Sequence, residues 1–440
     1  MTRRIQRGIF YHRKPFDSKP NSLVEDSSSA NDSFAILFLR VIQSSTADQV
    51  SESIHKLWKM YQSLQKGVVS DLPNHHVPSG DLSVLIGYGP NIFKLRGISR
   101  KIPRDFKDRQ FLPSISSRPI LEGSGIRYAD DVHENVGQEE YIAIQFISKT
   151  QLAAFRAVVE TWKFLQNSGT KKEPLMLSRF FTGFQRDDGR SWLGFHDEVS
   201  NMKNGKERQR AIVIDIDNNS LSHEDSWTVG GTYMAYLRIE INLDVWTKIS
   251  RKHQQLIIGR DKLTGRPLVG VDINGNPVVR DGCPEASQLE GYNKNFHDHP
   301  NYLKKPRIQE KTRNNLDIDA SRILSQSHIG RTRHITNVNS KERTSRRIFR
   351  QGFEFLEPVY NNQTKIIRAG LNFVSFQNDP GRLFFILTDP DWFGNSNFGG
   401  LKEDNQAGGL LSVLAAGIFF IPPIEKPFPG ASMFKSTKSD

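Results

Sequence analysis

Four stretches of the sequence hold residue types that can do chemistry. Ser327-His328-Ile329-Gly330-Arg331 offers an imidazole able to ligate a metal, with a guanidinium close behind. Gly194-Phe195-His196-Asp197-Glu198-Val199-Ser200-Asn201 sets an acidic pair in a glycine-containing loop. Arg346-Arg347-Ile348-Phe349-Arg350-Gln351-Gly352-Phe353 is a basic cluster leading into apolar residues. Gly370-Leu371-Asn372-Phe373-Val374-Ser375-Phe376-Gln377-Asn378-Asp379-Pro380 is an apolar run that ends in turn formers. Each stretch has a plain structural alternative. A lone histidine is more often a satisfied or solvated side chain than a ligand. Asp and Asn commonly build capped turns. A basic run is usually a solvated loop, and an apolar run a core strand.

In this order the four stretches resemble the motifs of the dye-decolourising (DyP-type) haem peroxidase family. Those motifs are Gly-x-x-Asp-Gly, a Ser/Ala-His-x-Arg segment, an Arg-Arg-Gly segment and a Gly-Leu-x-Phe-Val-x-Phe-Gln strand. Gly230-Gly231-Thr232-Tyr233, Ile258-Gly259-Arg260-Asp261-Lys262-Leu263-Thr264-Gly265 and Gly417-Ile418-Phe419-Phe420-Ile421-Pro422-Pro423 are similar to the family as well. The resemblance covers roughly residues 190–425 well and the N-terminal half only by pattern. It implies haem b as cofactor, with His328 as the axial iron ligand and Arg331, Leu371 and Phe373 beside the haem. It makes Asp197 the distal acid/base and Arg350 the distal cation.

Those residue types suit the implied reaction, oxidation of organic donors such as dyes and phenolic compounds by hydrogen peroxide. A neutral imidazole can bind ferric iron and leave its other face open. A carboxylate can take a proton from one peroxide oxygen and return it to the other. A permanently charged guanidinium steadies charge on the leaving oxygen. The pattern also departs from the family. Glu198 stands where the family has glycine, which would raise the pKa of Asp197 if its charge points inward. Gly330 stands where an arginine is usual, with Arg331 the nearest substitute, and Arg333-His334 replaces Asn-Pro. A haem-binding carrier or sensor with weak peroxidase activity is therefore the alternative within haem chemistry.

The formal net charge of +12 raises a rival of another class, a basic nucleic-acid-binding protein. Its charge is spread over many segments, with no zinc-finger or RNA-recognition signature, so no nucleic acid is expected. Cys283 is the single cysteine, which excludes an internal disulfide and a Cys-rich metal site. Arg3-Arg4 is not followed by an apolar segment of an export signal. The apolar stretch Leu410–Ile424 is too short to span a bilayer and contains Pro422-Pro423. A soluble cytoplasmic protein with no membrane partner is the expectation, and a homo-oligomer is compatible with it. Among minor motifs, Asp215-Ile216-Asp217 lacks the glycine and glutamate of a calcium loop, and His297-Asp298-His299 reads as a solvated loop.

The elements that must position these residues follow from hydropathy. Phe34–Ile42, Leu82–Phe93 and Tyr141–Ile147 read as strands. Residues 46–66 read as a helix with Ile54, Leu57, Trp58, Tyr61 and Leu64 at helical spacing. Gln151–Leu165 reads as a helix with Leu152, Phe155, Val158, Val159 and Trp162 inward. The second block repeats the theme. Tyr233–Ile241, Gly370–Gln377, Leu383–Thr388 and Ile418–Ile421 read as strands, Leu243–Ile249 and Asn405–Ala416 as helices. The expected fold is α+β: two ferredoxin-like domains with antiparallel sheets, of the dimeric α+β barrel type. Residues 1–33 are expected to be a poorly ordered lead-in, 34–189 the first domain, and 190–440 the second, haem-binding one.

Overall fold

A computed structural model describes residues 6, 32–108, 127–128, 140–166, 173–186, 189–196, 201–202, 206–216, 221–263, 265, 267–271, 277–279, 327–329, 335–336, 344–345, 348–359, 367–388 and 410–434. The first half supplies β1 (Ser33–Val41), α1 (Ala47–Leu64), β2 (Ser83–Tyr88), β3 (Glu140–Ser148), α2 (Gln151–Gln166) and β4 (Leu175–Phe184). After α3 (Lys206–Ile212), the second half supplies β5 (Thr232–Ile241), α4 (Leu243–Lys248), α5 (Arg251–Ile258), β6 (Phe349–Pro358), β7 (Ile367–Gln377), α6 (Gly381–Thr388) and β8 (Leu411–Ile421).

These eight strands run in the order β2-β3-β1-β4-β6-β7-β5-β8, and β8 returns to β2, so the sheet closes on itself; the two-residue strand Arg127–Tyr128 pairs in addition with β8 at Ala415 and Ala416. Neighbours are antiparallel throughout. Within each half the order is second, third, first, fourth. The expected antiparallel α+β architecture is present, and the strands of both halves share one sheet. Two narrow seams join them. Phe184 pairs with Glu354 at one, and Tyr88 with Phe420 at the other. At the second seam the buried Gln6 donates to the carbonyls of Ile86 (3.1 Å) and Pro422 (2.9 Å) and accepts from Ile86 N–H (3.0 Å). The rest of the expected lead-in up to residue 31 lies outside the described residues.

Alternation along the strands sorts side chains to two faces. Phe34, Ile36, Phe38, Tyr236, Phe353, Val374 and Phe419 fill the interior. Outside the first half, Ala35, Leu37, Leu39, Ile142 and Ile144 pack under α1 and α2. A capping box starts α1: Thr46 accepts from Gln49 N–H (3.4 Å) and the Gln49 side chain accepts from Thr46 N–H (2.8 Å). The buried face of α2 is Ala153, Ala154, Ala157, Val158, Thr161 and Leu165. Leu152 (61% exposed) and Trp162 (51%) point to solvent, with Val159 exposed too, which corrects the expected inward set. The small alanines on this face let the helix lie close against the sheet.

Two elements change type. Leu383–Thr388 lies within a helix, because Asp379 accepts from Gly381 N–H (2.8 Å) and starts a turn that a strand could not use. The second half of the expected helix Asn405–Ala416 belongs to strand β8, whose pairing with β5 overrides the helix preference of Leu414-Ala415-Ala416. The first part of that helix lies outside the described residues. Pro90–Lys94 forms a short 3-10 turn where the strand from Leu82 was expected to continue. No helix among the described residues is long and apolar enough to cross a membrane.

Candidate functional site

Arg350, Leu371 and Phe373 come together on adjacent strands. Leu371 pairs with Glu354 and Phe373 with Gly352, while Arg350 pairs with Ser375. Leu371, Phe373 and Ser375 share one face by strand alternation, and it is the outer face of the sheet. Asn372 between them points inward and is locked there. Its Oδ1 accepts from Tyr236 OH (2.8 Å) and Arg238 Nη1 (2.8 Å), and its Nδ2 donates to Thr182 O (2.9 Å). Arg238 also donates to Glu357 at 2.6 Å. Burial pushes the Tyr236 hydroxyl pKa up, so it stays a donor. A one-residue slip of β7 would break the three Asn372 bonds and turn Leu371 and Phe373 inward.

The outer face around them is apolar. Ala235, Leu237, Ile239, Ile348, Leu383, Ile386 and Ala416 form its core, with Phe373 and Leu411 packed against it. Leu371, Phe373 and Arg350 are each only half-buried, whereas Ser375 is fully buried and its hydroxyl has no hydrogen-bond partner among the described residues.

Asp197 and Glu198 lie outside the described residues, but both ends of their four-residue segment are anchored. On the N-terminal side, Arg190 Nη2 sits 3.0 Å from His196 Nε2 and donates to Leu263 O (3.0 Å), and Nη1 donates to Gly194 O (2.7 Å) and Lys262 O (2.9 Å). Gly194 has φ +83° with Lys262 against it, so a side chain there would be strained and crowded. On the C-terminal side, Asn201 Nδ2 donates to Arg350 O (2.6 Å) and its Oδ1 accepts from Arg350 N–H (3.0 Å). An extended chain covers at most about 14 Å in four residues, which bounds how far Asp197 can lie from Asn201. Asn201 closes the acidic segment Gly194–Asn201, yet nothing in the sequence singles it out as a partner of Arg350.

His328 is half-buried between the buried Ser327 and Ile329. This turn packs against the C-terminus of α5. Gly259 caps that helix in a left-handed conformation (φ +82°), and a Cβ there would stand 2.5 Å from Ser327 Oγ and 2.6 Å from Ile329 Cγ1. On α5, Ile257 joins Phe195, Trp246 and Leu410 in a cluster that shares Leu411 with the apolar face under Phe373. One apolar layer thus runs from beside the His328 turn to the strand of Phe373. Lys262 lies near the Phe195 and Trp246 rings and donates to Gln254 Oε1 (2.6 Å). Burial, then Arg251 and Arg190, push its pKa down. Arg331 lies outside the described residues, as do His297-Asp298-His299. Asp215 Oδ1 accepts from the next residue's N–H (2.8 Å), as a turn former.

Comparison with known proteins follows the same lines. A family model described as Dyp-type peroxidase, C-terminal, matches residues 188–426. The deferrochelatase of Escherichia coli (strain K12) is 24% identical over 341 residues, covering 73% of this chain and 66% of the relative. The chain thus spans just under two thirds of the length of such relatives. Among solved structures, DtpA from Streptomyces lividans, as an oxyferrous/water mixed complex, aligns with a TM-score of 0.61 at 18% identity, covering 92% of this chain and 94% of that one. A DyP-type peroxidase from Streptomyces coelicolor aligns at 0.60 and 17% identity, covering 92% and 93%. At this identity the structural likeness speaks for the fold. The family match spans more than half of the sequence, and the chain belongs to the Dyp-type peroxidase family.

Proposed function

We propose that this protein is a haem-dependent peroxidase that uses hydrogen peroxide to oxidise organic donors. The observation that carries the proposal is the pair of hydrogen bonds between Arg350 and Asn201, four positions after Asp197 in sequence, beside a sheet face whose Leu371 and Phe373 remain partly uncovered. The donor set fits haem b. His328 offers one imidazole, Leu371 and Phe373 offer apolar surface for a flat ring, and Arg350 offers a fixed positive charge; Arg331 belongs to the same proposed set. Such a set suits a macrocycle that brings its own four nitrogen ligands better than a bare ion that needs several protein ligands. The haem would supply the iron at which peroxide is reduced.

The chain's residues do the rest. Asp197 takes a proton from one peroxide oxygen and returns it to the other. Arg350 stabilises negative charge on the departing oxygen. Leu371 and Phe373 exclude water and bulky donors from the face they line. Donors too large to enter would pass electrons through the half-buried Trp192, whose Nε1 donates to Phe355 O (3.1 Å) beneath Arg186. Trp227 is buried among Phe93 and Phe420 on the outer face of the first half and is a core residue. The repeated strand order supports two ferredoxin-like units, 34–189 and 190–440, after a lead-in of residues 1–33.

A haem carrier or sensor with weak turnover is the second reading, favoured by Glu198 in place of the family glycine. One experiment separates the two. The protein is purified with haem supplied, its Soret band is recorded, and dye turnover with peroxide is measured beside Asp197→Ala. A Soret band with turnover that falls about a hundredfold or more in the variant is expected. Absence of a Soret band removes the haem proposal. A Soret band with turnover unaffected by Asp197→Ala leaves the carrier.

A further inference from the structure

We propose that Asn201 is a positioning residue, which sets Arg350 against the Asp197 segment for reaction with peroxide; this rests on the haem peroxidase reading above. The need for such a residue arises from the sheet. Among the described residues β6 meets β4 at a single pair, Glu354 with Phe184, and no described strand pairs with β6 on that side at Arg350. A buried strand edge without partners is costly. Asn201 is 2% exposed and supplies a donor and an acceptor from one carboxamide, as a neighbouring strand would. Its Oδ1 also accepts from Met202 N–H (3.1 Å), which orients the amide.

Two consequences follow for Arg350. Its N–H points away from β7, so Arg350 and Ser375 form a pair of the narrow kind, in which no ladder bonds run between the two residues and their side chains are closest. Ser375, fully buried, then walls the base of the Arg350 side chain on one side. Second, the strand position of the guanidinium and the end of the acid-bearing segment are fixed by the same two hydrogen bonds. Movement of one moves the other, and errors in relative placement of catalytic groups are expensive.

The test uses the full chain with haem bound, comparing wild type, Asn201→Ala, Asn201→Asp, Arg350→Ala and the Asn201→Ala/Arg350→Ala double variant. Three quantities are read: amide hydrogen exchange in the peptide containing Arg350, fluoride affinity from the visible spectrum, and the rate of the Soret change on mixing with peroxide. Asn201→Ala should bind haem, exchange faster at Arg350, bind fluoride more weakly and react with peroxide about a hundredfold more slowly. Asn201→Asp keeps the acceptor for Arg350 N–H and loses the donor to its carbonyl. It should fall between wild type and alanine, and carries the test if the alanine variant does not fold. The double variant should react no more slowly than Arg350→Ala alone, because both changes remove one shared function. Unchanged exchange at Arg350, a peroxide rate equal to wild type, or additive losses in the double variant would each overturn the proposal while the haem reading stands. A wild-type chain that binds no haem would end that reading, and the proposal with it.

Discussion

The two halves share one strand order and cover its outer face in different ways. In the first half, helices of 18 and 16 residues lie over the sheet and bury Leu37, Leu39, Ile142 and Ile144 almost completely. In the second, the corresponding helices among the described residues have 6, 8 and 8 residues, and Leu371, Phe373 and Arg350 are only partly buried. The same scaffold is closed as a core on one side and left open on the other. A sheet face can take a ligand only where helices do not already occupy it. Among the described residues, the openness of the second face goes with shorter helices, and the strands beneath it remain as well registered as those of the first half.

The largest effect that would sharpen this contrast is expected at His328. His328→Ala removes the proposed iron ligand from a short turn outside the sheet. Loss of the Soret band with an unchanged melting temperature of the haem-free chain is the expected result. Full retention of haem would move the ligand elsewhere. Next comes a pair of substitutions, one on each outer face. Ile144→Ala in the first half should cost about 2–5 kcal/mol in chemical denaturation, since it opens a cavity in a closed core. Phe373→Ala should cost less than about 2 kcal/mol, because only part of its surface is buried, yet shift the visible spectrum of the haem-loaded protein. Equal costs at the two positions would mean that the faces are equally packed.

How far the sequence revealed these features depended on whether the deciding contact was local. The helix of residues 47–64 was legible because Ile54, Leu57, Trp58, Tyr61 and Leu64 repeat with its own period, and all five are buried. The strand Gly370–Gln377 was legible from its apolar run, within the observed Ile367–Gln377. The run Leu383–Thr388 was not, because an apolar stretch without polar alternation does not distinguish strand from helix. The end of strand β8, Ile418–Ile421, was legible from its apolar run, whereas its first part was hidden by its alanines, and only pairing with β5 decides it. At the site, the residue types of His328, Asp197 and Arg350 stood out as a set. The role of Asn201 did not, because its partner Arg350 is 149 positions away in sequence. Closure of the sheet was equally hidden, since a single pair at each seam leaves no pattern along the chain.

Gly259→Ala would break the comparison from the site's side by a smaller amount. The left-handed conformation alone costs a non-glycine residue about 1–2 kcal/mol, and the added methyl would press on Ser327 and Ile329. The strain falls on the turn that presents His328, so haem dissociation should quicken while exchange protection in β1 and β3 is unchanged. A haem off-rate equal to wild type would show that the turn is held by other contacts.

The smallest effect belongs to the first half and depends on pH. Burial raises the pKa of Asp32, just before β1, from its ordinary 3.8 to about 6, with Lys149 opposing and Asp81 adding to the rise. The folded chain therefore binds a proton that the unfolded chain has already released between these values. Its contribution to stability is fully present below about pH 3.8 and is lost as pH rises through about 6. Asp32→Asn removes the ionisable group and should raise the melting temperature relative to wild type at pH 7.5, with the difference vanishing near pH 3.5. Asp32 is only partly buried, so solvent screening keeps the gain modest. Calorimetric melts of both proteins across this range would measure it. A difference independent of pH would show that Asp32 is not titrating in the folded state. Haem retention should not change, because the group lies in the half whose outer face is already closed.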